Sequence, residues 1–213
     1  MIAQTRLLPA ALGACACLVV LGACAVKPEY PVATVESAIM TVSQWGGTPA
    51  DETNARQHAI TRITLHHQGV AFPRGSDPVQ YLRNLQVWSR DTQKWLDVPY
   101  HYVIDLDGNI YAGRDIRFAG DTNTEYDPAG HALIEIVGNY EESEPSQSQL
   151  DAVVELMVLL AEKHSISVDA IRGHRDFSGQ TVCPGKNLYR YLENGYFRER
   201  VRTKLATKHP GPG

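Results

Sequence analysis

Residues 59–67 read AITRITLHH, and the alternation in this stretch decides the fold. Apolar and polar residues alternate along it, which is the period of a half-buried strand. The strand ends on an adjacent pair, His66 and His67, whose side chains leave a regular strand on opposite faces. Only one of the two can therefore reach a given site from a regular strand.

The segments around this strand supply its partners. DPVQYLRNLQVWSR (77–90) sets Tyr81, Leu82, Leu85 and Trp88 at helical spacing, with Pro78 suited to a first turn. YHYVIDLDGNIYAGR (100–114) reads as a hairpin, Tyr100 to Ile104 and Ile110 to Ala112 joined by a turn carrying Asp107 and Gly108. ALIEIVGNY (132–140) is a further strand. The clearest helix runs from about Gln147 to His164: Ser146 caps it, Gln149 closes a capping box, and Leu150, Val153, Val154, Met157 and Leu160 form its buried stripe. A short strand near 170–172 then delivers His174, and a last amphipathic helix follows Lys186. Strands interleaved with helices over about 160 residues imply one α/β domain, a central mixed β-sheet flanked by helices.

Chemistry concentrates in IRGHRDFSGQTVCPG (171–185), where Cys183 lies nine positions after His174. With a histidine from the 66–67 pair, these residues offer two nitrogens and a sulfur to a zinc ion. Three protein ligands leave the fourth position to water, as in catalytic rather than structural zinc sites. No other cysteine follows Cys24, so the region after it holds no internal disulfide, and a lone thiol in an oxidising compartment is a liability unless buried or metal-bound.

The N-terminus predicts that compartment. MIAQTRLLPAALGACACLVVLGAC (1–24) has a single cation, Arg6, then an apolar run without acids, the pattern of a secretory signal. Leu21, Gly22 and Ala23 before Cys24 resemble a bacterial lipoprotein box, with Cys24 the lipidated new N-terminus; Cys15 lies too early for an adequate hydrophobic run. Ala25 in place of Asp resembles the default sorting to the outer membrane, which implies a lipid-anchored protein facing the periplasm of a Gram-negative bacterium. Residues 24–52, with their prolines, small residues and Gly46–Gly47, read as linker with local packing through Trp45. The domain is expected over 53–208, followed by a tail at 209–213. Loss of Arg6 with the signal takes the formal charge from −4 to −5, which excludes an electrostatic grip on nucleic acid.

LRNLQVWSRDTQKWLDVPYHYVIDLDGNIYAGRDI (82–116), AGDTN (119–123), ALIEIVGNYEE (132–142) and GHRDFSGQTVCPGKNLY (173–189) together resemble the zinc N-acetylmuramoyl-L-alanine amidases. Among these, the peptidoglycan recognition proteins and phage lysozyme-type amidases are the most similar in pattern. Several motifs recurring in order over residues 55–195 make the likeness specific. It implies a peptidoglycan recognition protein-like fold and one zinc held by His66, His174 and Cys183, with His67 the alternative to His66. Tyr100 matches a tyrosine that lines the catalytic site, Thr181 a position beside the metal, and both can donate to a developing oxyanion. Glu135 matches the catalytic glutamate of similar cytosolic muropeptide amidases, whereas recognition-protein relatives carry a small residue there. His101, Asp107 and Asp121 read as turn or supporting residues. The implied substrate is the amide between N-acetylmuramic acid and the L-alanine of the stem peptide, in peptidoglycan or muropeptides. Two other readings are a peptidoglycan-binding module without catalysis, as in relatives that have lost the zinc, and a cysteine hydrolase with Cys183 as nucleophile and His174 as base.

Overall fold

The computed structural model describes residues 32–208. The signal segment, the proposed lipidation site Cys24 and the tail 209–213 lie outside the described residues. Five strands form one sheet in the order β3-β2-β4-β1-β5: β1 (Arg62–His67), β2 (Tyr102–Ile104), β3 (Ile110–Ala112), β4 (His131–Ile136) and β5 (Ile171–Gly173). β1 runs parallel to both β4 and β5, β2 runs parallel to β4, and only the β2–β3 hairpin is antiparallel. The sheet is thus mixed, as expected.

Period-2 alternation gives this sheet two unlike faces. Ile63, Leu65, Ile134, Ile136 and Ile171 are fully buried in one cluster with Val153, Val154 and Met157 of α3 (Gln147–His164), the long helix that covers this face. Each such aliphatic side chain contributes about 1.5–3 kcal/mol by leaving water, so this face anchors the fold. Five expected stripe residues of α3 are all buried, and its capping box is present: the Ser146 hydroxyl accepts from Gln149 N–H while the Gln149 side chain accepts from Ser146 N–H. The other face carries Thr64, His66, His131 and Glu135, all buried rather than exposed, and two helices precede α3 in the described chain, α1 (Val32–Ala38) and α2 (Pro78–Val87).

Three expectations change. α2 (Pro78–Val87), N-capped by Asp77, continues into a π-helical turn at Trp88–Thr92. Of its stripe only Leu82 is in a core; Tyr81 and Leu85 are half-buried and Trp88 is 40% exposed, because this side of the helix overlooks a cleft. The single helix expected after Lys186 is two, α4 (Lys186–Glu193) and α5 (Tyr196–Lys208), separated by Gly195 at φ +81, where a left-handed glycine ends α4. The stretch read as linker packs on the domain over its described part: Trp45 is fully buried and donates to the Ala112 carbonyl at 2.7 Å, and Met40 pairs with the hairpin through Ile110 and Ala112. A Trp buried with its N–H satisfied is a substantial anchor, which composition alone does not reveal.

Candidate metal centre

β1 and β4 set the floor of the site. Their parallel register places His66 beside Glu135, so the two side chains emerge together on the polar face of the sheet. β5 ends at Gly173, and a 3-10 turn, His174–Asp176, closed by the Gly173 N–H to the Asp176 carboxylate at 2.8 Å, lifts His174 over the end of β1. The loop that follows is tied back by Arg175 N–H to the Cys183 carbonyl at 2.8 Å and by Cys183 N–H to Thr181 Oγ1 at 3.0 Å. Gly185 completes the turn at φ +86, where a Cβ would lie 2.4 Å from the Tyr140 carbonyl carbon, so the last residue of the CPG motif has room only for hydrogen.

His66, His174 and Cys183 converge. Their donor atoms all lie within 4.8 Å of one another and all three residues are buried. Sγ of Cys183 is 3.6 Å from Nδ1 of His66 and accepts the His67 backbone N–H at 3.3 Å. The His67 ring leaves on the opposite face with Ile63 and Leu65, where its Nδ1 accepts the Tyr140 N–H at 3.2 Å. Of the pair, His66 is therefore the one that faces the other two donors. Burial first, then repulsion from His174, keeps His66 well below its usual pKa, and burial takes His174 down to about 4, so both imidazoles are neutral at pH 7 as metal ligands require. Burial pushes the Cys183 thiol up to about 12. A thiol this buried becomes a thiolate only beside a cation, so two neutral imidazoles, a sulfur and no resident positive charge make a donor set suited to Zn2+.

Above these donors is a cleft of about 340 Å³, lined also by Tyr100, Glu135 and Thr181. Tyr100 is half-buried, with its ring 5.2 Å from that of His66. Burial, then the nearby Glu135, raises its pKa well above 10, so its hydroxyl stays a donor. Glu135 is 1% exposed, and burial raises its pKa to about 8. The Tyr81 hydroxyl, from α2, reaches across the cleft to both carboxylate oxygens, at 2.9 and 3.0 Å. A larger hollow of about 460 Å³ adjoins the cleft and shares Trp95, Asp121, Thr122 and Thr124 with it, extending it as a groove away from the donors.

The supporting residues behave as turn and frame elements. His101 is buried between backbones, taking the Leu133 N–H on Nδ1 and facing the Phe118 carbonyl through Nε2; Asp121 pairs with buried Arg114; Asp107 donates its N–H to Asp105 in the hairpin turn. Three residues at the site were not read as such from the sequence: Tyr81, taken only as part of a helical stripe, Thr124 and Tyr126. The last two come from the loop after AGDTN, Thr124 Oγ1 lying 2.8 Å from His174 Nε2 and the Tyr126 hydroxyl 3.5 Å from His66 Nε2.

Residues 56–186 match the family model described as N-acetylmuramoyl-L-alanine amidase, more than half of the chain. The chain belongs to this amidase family. Peptidoglycan recognition protein 1 of Mus musculus is 28% identical over 181 residues, covering 83% of this chain and 98% of the mouse protein. An N-acetylmuramoyl-L-alanine amidase of Homo sapiens is 29% identical over 176 residues, 79% of this chain but 30% of the human protein. Among solved structures, the ectodomain complex of peptidoglycan recognition proteins LCa and LCx bound to tracheal cytotoxin is similar at a TM-score of 0.63 and 25% identity, covering 73% of this chain and 95% of that one. The fold is that of the peptidoglycan recognition proteins, and the family-level function is peptidoglycan amide hydrolysis or binding.

Proposed function

We propose that this protein is a zinc-dependent N-acetylmuramoyl-L-alanine amidase acting on peptidoglycan or its muropeptides. The observation that carries the reading is the convergence of His66, His174 and Cys183 at the floor of a cleft, beside the buried Glu135. When bound there, Zn2+ supplies Lewis-acid polarisation of the scissile carbonyl and activation of water at neutral pH. The chain's own residues do the rest. Tyr100, protonated and facing the cleft, donates to the oxygen on which charge develops, and Thr181 has a hydroxyl proton for the same purpose. In the metal-free chain burial raises the Glu135 pKa to about 8; beside Zn2+ the carboxylate would take a proton from the attacking water and pass it to the departing amine of L-alanine. Tyr81 fixes the carboxyl group in place for that transfer.

A complete donor set and a buried titratable acid favour an enzyme over a module that only binds. The cysteine-hydrolase reading is disfavoured: the thiol is neutral and buried, and its hydrogen-bond contacts are to His66 and the His67 backbone rather than to the His174 proposed as base. The tracheal cytotoxin bound by the LCa–LCx complex supports a muropeptide-class ligand for this chain. Cys24 is the proposed lipid anchor, holding the domain at the periplasmic side of the outer membrane. Metal analysis and activity assays on two neighbouring variants test the centre. His66→Ala should lose zinc and activity, while His67→Ala should keep most of its zinc; the reverse pattern overturns the ligand assignment.

A further inference from the structure

The loop over the metal site is built as a clamp. Thr124 Oγ1 lies 2.8 Å from Nε2 of His174, and the Tyr126 hydroxyl lies 3.5 Å from Nε2 of His66. Each histidine thus has its Nε2 matched to an oxygen of the same short loop, and His66 turns its Nδ1 to the Cys183 sulfur. The loop itself is fixed on both sides. Thr124 N–H donates to Thr122 Oγ1 at 3.1 Å, and the Glu125 carboxylate accepts the Ser178 hydroxyl at 2.6 Å and the Gly179 N–H at 2.9 Å, which ties it to the loop that links His174 to Cys183. Between these ties the Tyr126 ring packs on His174, His131 and Phe177, with centroids 4.9, 5.2 and 6.0 Å away.

From this we infer that Thr124 and Tyr126 are positioning residues for the metal ligands, accepting the Nε2 protons of His174 and His66 and so reserving both Nδ1 atoms for the cation. The inference rests on the zinc reading above. A ligating imidazole that donates its other N–H is locked in tautomer and ring orientation and is a more basic donor, and loss of such a partner typically costs 10–100-fold in metal affinity. Supplying both partners from one loop makes the two histidines a single unit: anything that lifts the loop frees both rings. Glu125, which touches neither ring, contributes by holding the loop down.

The test is competition between the full-length, metal-stripped protein and a chromogenic zinc chelator, for wild type, Thr124→Val, Tyr126→Phe and Thr124→Ser. Circular dichroism melts of the metal-free proteins verify that each is folded. Wild type should bind one zinc; Thr124→Val and Tyr126→Phe should each bind it about 10–100-fold more weakly, and Thr124→Ser, which retains the hydroxyl, should stay near wild type. If Thr124→Val and Tyr126→Phe are folded and bind zinc within about twofold of wild type, the positioning role is overturned while the metal centre stands. If wild type itself binds no zinc, the metal reading fails, and the clamp with it.

Discussion

Glu135→Gln should make the metal-free protein more stable and the enzyme nearly inactive, and the stability gain should depend on pH in a defined way. Glu135 is buried in the folded chain with a pKa of about 8, against 4.5 for the ordinary side chain. A carboxyl group whose folded pKa is raised adds most to stability below pH 4.5, where both states hold the proton, and this contribution is lost as pH rises towards 8. From pH 4.5 to pH 7 the unfolded chain releases a proton that the folded chain keeps, and at about 1.4 kcal/mol per unit the cost to the folded state reaches ~3 kcal/mol. Glutamine keeps the shape and still accepts the Tyr81 hydroxyl, but does not titrate. The difference between Glu135→Gln and wild type should therefore shift by ~3 kcal/mol in favour of the variant between pH 4.5 and pH 7, and level off above about pH 8. Urea melts of both metal-free proteins across this range measure it, with the titrations shared by the two chains cancelling. With a slope of about 1–3 kcal/mol per molar urea, the midpoint difference moves by at least about 1 M. A difference that stays flat with pH, or runs the other way, would refute the claim that burial holds a proton on Glu135. In the zinc-loaded enzyme the same change should lower kcat by about two orders of magnitude or more, since the group that moves protons between water and amine is removed while the metal stays.

Other outcomes follow from the same geometry. Tyr81→Phe removes the hydroxyl that holds Glu135 and should lower kcat by about tenfold with KM little changed, in steady-state assays on a soluble muropeptide. Ser146→Ala breaks the capping box of α3 and should cost about 1 kcal/mol, read as a melting temperature lower by about 2–4 °C with activity retained below the transition. Cys24→Ser should block lipid attachment in radiolabelled-palmitate incorporation, while Cys15→Ser should not; equal labelling of both variants would contradict the anchor assignment.

Local features were the legible ones. The alternation of AITRITLHH, the capping box at Ser146 and the glycine-bearing turn of the 100–114 hairpin each depend on neighbours in sequence, and each appears in the structure, the first hairpin strand beginning at Tyr102 rather than Tyr100. Period 2 also showed that only one of His66 and His67 could face the cleft; the parity of Ile63 and Leu65 against α3, a tertiary fact, selects His66. Contacts between distant segments were not legible. Tyr81 meets Glu135 across 54 positions, Thr124 meets His174 across 50 and Tyr126 meets His66 across 60, and no local pattern marks such pairs. For the same reason the helical stripe of α2 looked like core: spacing identifies an apolar face, but a cleft lined with Leu85 and Trp88 has the same spacing as a buried one. Trp45 was legible as a point of packing, but its partners were not: its ring is buried with Leu82, Val103 and Tyr111, and its N–H donates to Ala112 across 67 positions.

Mass analysis of products tests the central claim most directly. Purified muropeptides carrying the lactyl–L-alanine amide would be incubated with zinc-loaded protein, with and without a chelator. The expected result is separation into a peptide-free sugar and a free stem peptide with an N-terminal L-alanine, their masses together exceeding the substrate by one water, and no cleavage once the metal is removed. Zinc-loaded protein that binds the muropeptide but returns it at its original mass would contradict catalysis and leave a binding module.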